Sequence, residues 1–146
     1  METLYQQLVA IARQRTHPFC LGCYERAPSG RCATCGSDDL GVELPGSGVD
    51  WTCDWVVREI LTGHLEPADL TQAVEQFVAD CWGETVPVAW ITFDTATAVC
   101  DLDPLSWKMA IDDFADGECD AGNLCTFDGG NSYYCVRDVE QFINAN

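Results

Sequence analysis

Four cysteines in the first quarter of the chain have the type and spacing to hold a metal. The segment HPFCLGCYERAPSGRCATCGSDDL sets Cys20 and Cys23 in one C-x-x-C pair and Cys32 and Cys35 in another, separated by eight residues and followed by Gly36. Each pair lets the backbone turn so that two sulfurs meet one ion, and the second pair closes a tetrahedral shell at about 2.3 Å per metal–sulfur bond. Gly22 and Gly36 suit tight turns around the sulfurs, and Pro28-Ser29-Gly30 reverses the intervening segment. Four thiolates leave no position for a catalytic water. The expected occupant is one structural zinc ion, ahead of iron or another metal and of redox or disulfide cysteines. His17 could hydrogen-bond to a ligand or replace one, although a solvated histidine is the plainer reading.

These residues resemble a zinc ribbon, above all in the ending Cys32-Ala33-Thr34-Cys35-Gly36-Ser37. The resemblance covers residues 20–36 only and implies a local fold and a metal, not an activity. Zinc ribbons serve transcription, translation and replication proteins, and also act as folding staples. This segment departs from those that grip nucleic acid, because Arg26 and Arg31 are its only bases.

The other six cysteines are Cys53, Cys81, Cys100, Cys119, Cys125 and Cys135, and none of them forms a C-x-x-C. Small buried core positions are the expectation for them. A second metal site from Cys119, Cys125 and Cys135 is the lesser alternative, as are disulfides in an oxidising milieu. The acidic run Asp112–Asp120 carries Gly117 where a calcium loop needs glycine. Phe114 and Asn123 then fall at ligand positions, so a solvated helix end is expected instead. His17 and His64 are the only imidazoles, and no phosphate loop, nucleophile elbow or H-E-x-x-H is present. A couple of His64 with Cys53 or Cys81 is the residual enzymatic reading. A non-enzymatic protein is expected.

Charge points the same way. The 146 residues carry a net charge of −17, yet residues 1–40 balance four acids against four bases. Residues 41–146 hold twenty acids against Arg58, Lys108 and Arg137. Such a body repels nucleic acid and anionic membrane and attracts basic surfaces. Its densest stretch is Asp101, Asp103, Asp112, Asp113, Asp116, Glu118 and Asp120, opposed only by Lys108. These seven form the candidate partner-binding patch. The expected partner is a protein with a basic, nucleic-acid-binding surface, without direct contact to nucleic acid or membrane.

In size and charge the chain resembles small acidic proteins of phages and plasmids that imitate duplex phosphates against restriction, CRISPR or polymerase machinery. The resemblance implies inhibition or regulation of a nucleic-acid-handling complex. One alternative is a charge that only solubilises. Another is an adaptor binding transcription or other machinery through its metal module or exposed aromatics, with Trp51 and Trp82 the tryptophans expected at the surface.

The elements that must carry these residues follow from periodicity. Leu4, Leu8, Ile11 and Ala12 recur at helical spacing, which predicts a helix over 2–15 closed by His17-Pro18. The metal module occupies 17–40, and GVELPGSG (41–48) reads as a linker. Asp50 should cap a helix running to Thr62, stopped by Gly63. Glu66-Pro67 should open the next, with Leu70, Ala73, Val74, Phe77, Val78 and Cys81 inward. PVAWITF (87–93) reads as one strand. Asp94 and Asp103-Pro104 should cap two further helices, the second with Trp107, Ala110, Ile111 and Phe114 inward. Residues 124–136 have the form of a hairpin, and Asp138 should start a last helix.

The sum is an α+β protein: helix 1–16, zinc-ribbon module 17–40 and an acidic, mainly helical domain 49–146 with a small antiparallel sheet. The opening lacks the pattern of a signal peptide and no apolar run spans a bilayer, so a cytoplasmic location is expected.

Overall fold

The computed structural model describes residues 2–146. In chain order the elements are α1 (Leu4–Arg15), β1 (His17–Cys20), β2 (Glu25–Arg26), β3 (Gly41–Leu44), β4 (Gly48–Asp50), α2 (Asp54–His64), α3 (Leu70–Trp82), β5 (Thr85–Val88), β6 (Ile91–Asp94), α4 (Thr95–Leu102), α5 (Pro104–Asp120), β7 (Leu124–Cys125), β8 (Tyr134–Cys135) and α6 (Val136–Asn144). The chain is α+β, mainly helical. It divides into two compact units, Met1–Glu66 with Thr126–Asn146, and Pro67–Cys125. Residues 49–146 are therefore shared between the two units.

In the first unit, α1 opens on a reciprocal cap. The Thr3 hydroxyl accepts from the Gln6 amide, and the Gln6 side chain accepts from the Thr3 amide. Its Leu8, Ile11 and Ala12 are buried, as are Val56, Val57, Ile60 and Leu61 of α2. The Tyr5 hydroxyl donates to Asp54, and that carboxylate pushes the phenol above its usual 10. α6 buries Val139, and the Arg15 guanidinium lies 5.6 Å over the Phe142 ring and 3.3 Å from His64 Nε2.

A four-stranded antiparallel sheet in the order β2-β1-β3-β4 completes this unit. The segment 41–48 is therefore not a linker. Ser47 donates its amide to the Leu44 carbonyl at 3.0 Å, with Pro45 second and Gly46 third in the turn at φ 83°. Proline followed by a positive-φ glycine is the pattern of a type II turn, which joins β3 to β4. Gly41 is present for a different reason: a Cβ there would lie 2.5 Å from the Asp50 carbonyl oxygen on the neighbouring strand.

Strand pairing also overturns the expected cap at Asp50. That residue pairs with Val42 in β4, and its carboxylate accepts from the Trp51 amide, so α2 starts four residues later. Gly63 lies inside α2 and does not end it. The loop 126–132, expected as a hairpin turn, is organised by Asp128. Its carboxylate accepts from the Thr126 hydroxyl and the Ser132 amide, both at 2.9 Å. Partial burial pushes this carboxyl up, but those hydrogen bonds outweigh it and hold the group below its ordinary 3.8. The two flanking strands are only two residues each.

In the second unit, α3 starts at Leu70 on an Asp69 cap rather than at Pro67. Asp94 and Asp103 cap α4 and α5 as their sequence positions predict, accepting from Thr97 and Ser106 amides at 3.0 and 3.1 Å. The run 87–93 is not one strand. β5 and β6 form a hairpin turning through Ala89 and Trp90, with Ala89 at φ 54°. Thr95 ties the start of α4 back, its hydroxyl donating to the Gly83 carbonyl at 2.8 Å. Val74, Val78 and Trp107 form the core, with Ala96, Cys100, Ile111 and Phe114 packed against it. Phe77, Cys81 and Ala110, expected inward, are exposed. No helix among the described residues is long and apolar enough to cross a membrane.

Candidate metal centre and acidic face

The fold brings Cys20, Cys23, Cys32 and Cys35 together, their sulfurs all within 4.8 Å of one another. Cys20 ends β1 and Cys23 lies in the reversal before β2, so the first pair sits at a hairpin tip. The second pair lies in an irregular loop. The loop is held by backbone bonds from the Cys32 amide to the Ser37 carbonyl (2.9 Å) and from Gly36 to Cys32 (2.8 Å).

The residue following each pair, Tyr24 at φ 58° and Gly36 at φ 73°, adopts the left-handed conformation that turns the chain off the site. Gly22, expected to serve a tight turn, has no positive φ, and a Cβ there would make only an ordinary 3.9 Å contact with the Cys20 sulfur. Tyr24 compensates for its strained backbone with an edge-on contact to Phe19, ring centroids 5.0 Å apart.

The donor set fits a tetrahedral ion. Four sulfurs at about 2.3 Å from one centre stand about 3.8 Å apart along each edge. Cys20 and Cys35 sulfurs are 3.7 Å apart, far beyond the roughly 2.05 Å of a disulfide. Amide donors converge on the sulfurs as well: Cys23 donates to Cys20 Sγ at 3.4 Å. The Cys35 and Thr34 amides lower the Cys32 thiol to about 7, which favours a thiolate. The Cys23 thiol is pushed up to about 12, first by its hydrogen bonds with Cys35 and Cys32. Four such groups cannot all ionise side by side without a cation among them. These cysteines can therefore hold a metal ion, with the shell closed by protein.

His17 stands apart from the four, exposed in β1 opposite Glu43. The two bases of the module serve the chain itself. Arg26 pairs with Glu43, and Arg31 donates to the Gly36 carbonyl at 3.2 Å and lies 3.9 Å from Asp38. No second group of ligating side chains comes together among the described residues, so Cys119, Cys125 and Cys135 do not build one. The six remaining cysteines are not buried as expected: Cys81 and Cys135 are exposed and the others half-buried. Cys53 and His64 lie at opposite ends of α2, roughly 16 Å apart along its axis, which removes that couple.

The acidic patch resolves into parts with different tasks. Asp103 is occupied as the α5 cap, and half-buried Glu118 accepts from the Asn123 side chain at 3.0 Å. Asp112, Asp116 and Asp120 are exposed one helical turn apart on α5, and Asp101 and Asp113 are exposed on α4 and α5. α5 runs unbroken through Gly117, so the acidic run is helix and not a calcium loop. Like charges at i, i+4 each cost about 0.2–0.5 kcal/mol, and carboxylates in a last turn oppose the helix dipole. The last turn of α5 has no base to offset them.

The same unit carries a feature that sequence reasoning missed. An apolar groove of about 1110 Å³ opens between α3, the β5–β6 hairpin, α4 and α5. Its only charged lining residues are Asp101 and Asp113. Trp51 and Trp82 are exposed as expected, and Trp90, in the run that reads as one strand, is 91 % exposed. Comparison with protein-family models, curated proteins and solved structures gives no match to this chain.

Proposed function

We propose that this is a non-enzymatic interaction protein, in which a structural zinc ion staples the 17–40 module and the acidic second unit recognises a basic protein partner. Zinc is favoured for the four-cysteine site because an all-thiolate tetrahedral shell suits a closed-shell ion with no redox demand. The ion holds the fold and takes no part in recognition.

One observation carries the assignment of recognition to the second unit: Asp112, Asp116 and Asp120 are set in one exposed row on α5 at a cost to that helix's own stability. Residues 67–125 hold twelve acids against Lys108 alone. Successive helical turns place these carboxylates about 6 Å apart, a regular row of like charges as a phosphate backbone presents. The favoured role is therefore inhibition or regulation of a nucleic-acid-handling complex, as a phosphate mimic.

The test is competition with duplex DNA for purified basic nucleic-acid enzymes, over a salt series. Affinity should fall steeply as salt rises, and Asp112→Asn/Asp116→Asn/Asp120→Asn should weaken it. Binding that ignores salt sinks the mimic. It favours instead an adaptor that makes contact through aromatics, a reading that rests on exposed Trp51, Trp82 and Trp90.

A further inference from the structure

We infer that the groove of the second unit is a docking site for an amphipathic basic helix, one that buries an apolar stripe between α3, α4 and α5 and sets Lys or Arg against the acids at its rim. This rests on the interaction reading above and names the chemistry of its partner.

Of the thirteen large hydrophobic residues exposed among the described residues, ten lie in residues 67–125, among them Phe77, Trp82, Val99 and Leu102. A soluble surface rarely gathers so many unless something covers them. Phe77 and Trp82 of α3, Phe93 of β6, and Val99 and Leu102 of α4 face one shared groove, and Leu102 is 85 % exposed in it. Its volume of about 1110 Å³ lies above the roughly 300–1,000 Å³ of small-ligand pockets, and suits several large side chains spaced along an elongated ligand. Walls made by three helices offer side-chain contacts, and a helix presenting residues at i, i+3, i+4 and i+7 fills such a trough.

Charge selects the occupant. The only charged groups lining the groove are Asp101 on one wall and Asp113 on another. Asp116 and Asp120 continue the Asp113 stripe at i+3 and i+7 and are exposed. A second copy of this chain would bring the same carboxylates and the same excess of acid, so self-association is opposed. A fatty acid or anionic lipid would set its headgroup against those acids. A helix with apolar anchors and flanking Lys or Arg satisfies both the groove and its rim.

The experiment uses the 146-residue chain loaded with zinc and a fluorescent Leu/Lys peptide of about 14 residues, roughly 21 Å when helical, with leucines at i, i+3, i+4 and i+7. Controls are a scrambled peptide of the same composition and a Leu/Glu peptide of the same pattern. The expected result is saturable one-to-one binding of the Leu/Lys helix, gain of helical circular dichroism, and binding weakened at least about tenfold by Phe77→Ser or Leu102→Ser. Both side chains are exposed, so neither change should unfold the protein, and an unchanged melting curve checks this. Equal binding of the scrambled peptide overturns the groove proposal but leaves the acidic-surface reading standing. Failure of every basic probe overturns both. Equal binding of Leu/Glu, or a dimer in sedimentation equilibrium that Leu102→Ser dissolves, assigns the groove to another occupant and overturns the proposal.

Discussion

Removing the proposed zinc ion should unfold one part of this protein and spare another. Cys35→Ser is the sharpest perturbation, because Cys35 is exposed and serine is nearly isosteric, so the change opens no cavity. Any effect must act through coordination. The segment Cys20–Cys35 has sixteen residues, and ordering them costs at least about 16 kcal/mol at roughly 1 kcal/mol each. Its apolar support is slight, since Phe19 is the one large apolar side chain buried among residues 17–40, worth at most about 3 kcal/mol. Structural zinc contributes about 10–16 kcal/mol, which is the amount needed to close the difference.

The assay is amide hydrogen exchange on zinc-loaded, chelator-treated and Cys35→Ser protein, with zinc counted by mass spectrometry. Wild type should hold one zinc per chain. In the two metal-poor samples the amides of Ala27, Cys32 and Gly36, which donate to Pro18, Ser37 and Cys32 carbonyls, should lose protection. Amides within α3 and α5 should keep theirs, because those helices rest on Val74, Val78 and Trp107 instead. Protected Cys32 and Gly36 amides in metal-free protein would show that the module folds without the ion. Full zinc occupancy in Cys35→Ser would overturn the four-thiolate assignment.

Three further outcomes are expected. Gly41→Ala should destabilise the first unit by about 1–3 kcal/mol in denaturant unfolding, since the new methyl meets a backbone carbonyl that cannot swing aside. Asp116→Lys or Asp120→Lys should raise the stability of the second unit by about 0.3–1 kcal/mol while weakening partner binding, and a loss of stability would count against the reading of α5. Metal affinity should rise with pH, measured against a colorimetric chelator. Folded Cys23 titrates only near about 12, so at neutral pH the ion must displace its proton, and acid returns that proton and ejects the ion. An affinity independent of pH would exclude thiol ligation.

Features settled within a few residues along the chain are legible in the amino-acid sequence alone. C-x-x-C pairs converge because their sulfurs are three residues apart, and Asp94 and Asp103 cap because an aspartate oxygen reaches the amide three residues on. The Pro45-Gly46 turn is equally local, but its flanking strands of four and three residues are too short to display a period of two. The single strand expected at 87–93 failed for the same kind of reason: its reversal at Ala89-Trp90 contains no glycine to announce it.

Other features depend on partners far away in sequence and emerge only in the folded chain. Asp50 could have capped a helix, but pairing with Val42 drew it into a strand. Gly41 falls in a segment that reads as a linker, and the close carbonyl of Asp50 shows it to be a packing requirement. On α3, periodicity marked Phe77 and Val78 alike as core. Neighbours cover Val78 and leave Phe77 bare, because helical spacing gives a stripe's position but not how much of it other elements will cover. The groove and its two carboxylates exist only through that incomplete cover.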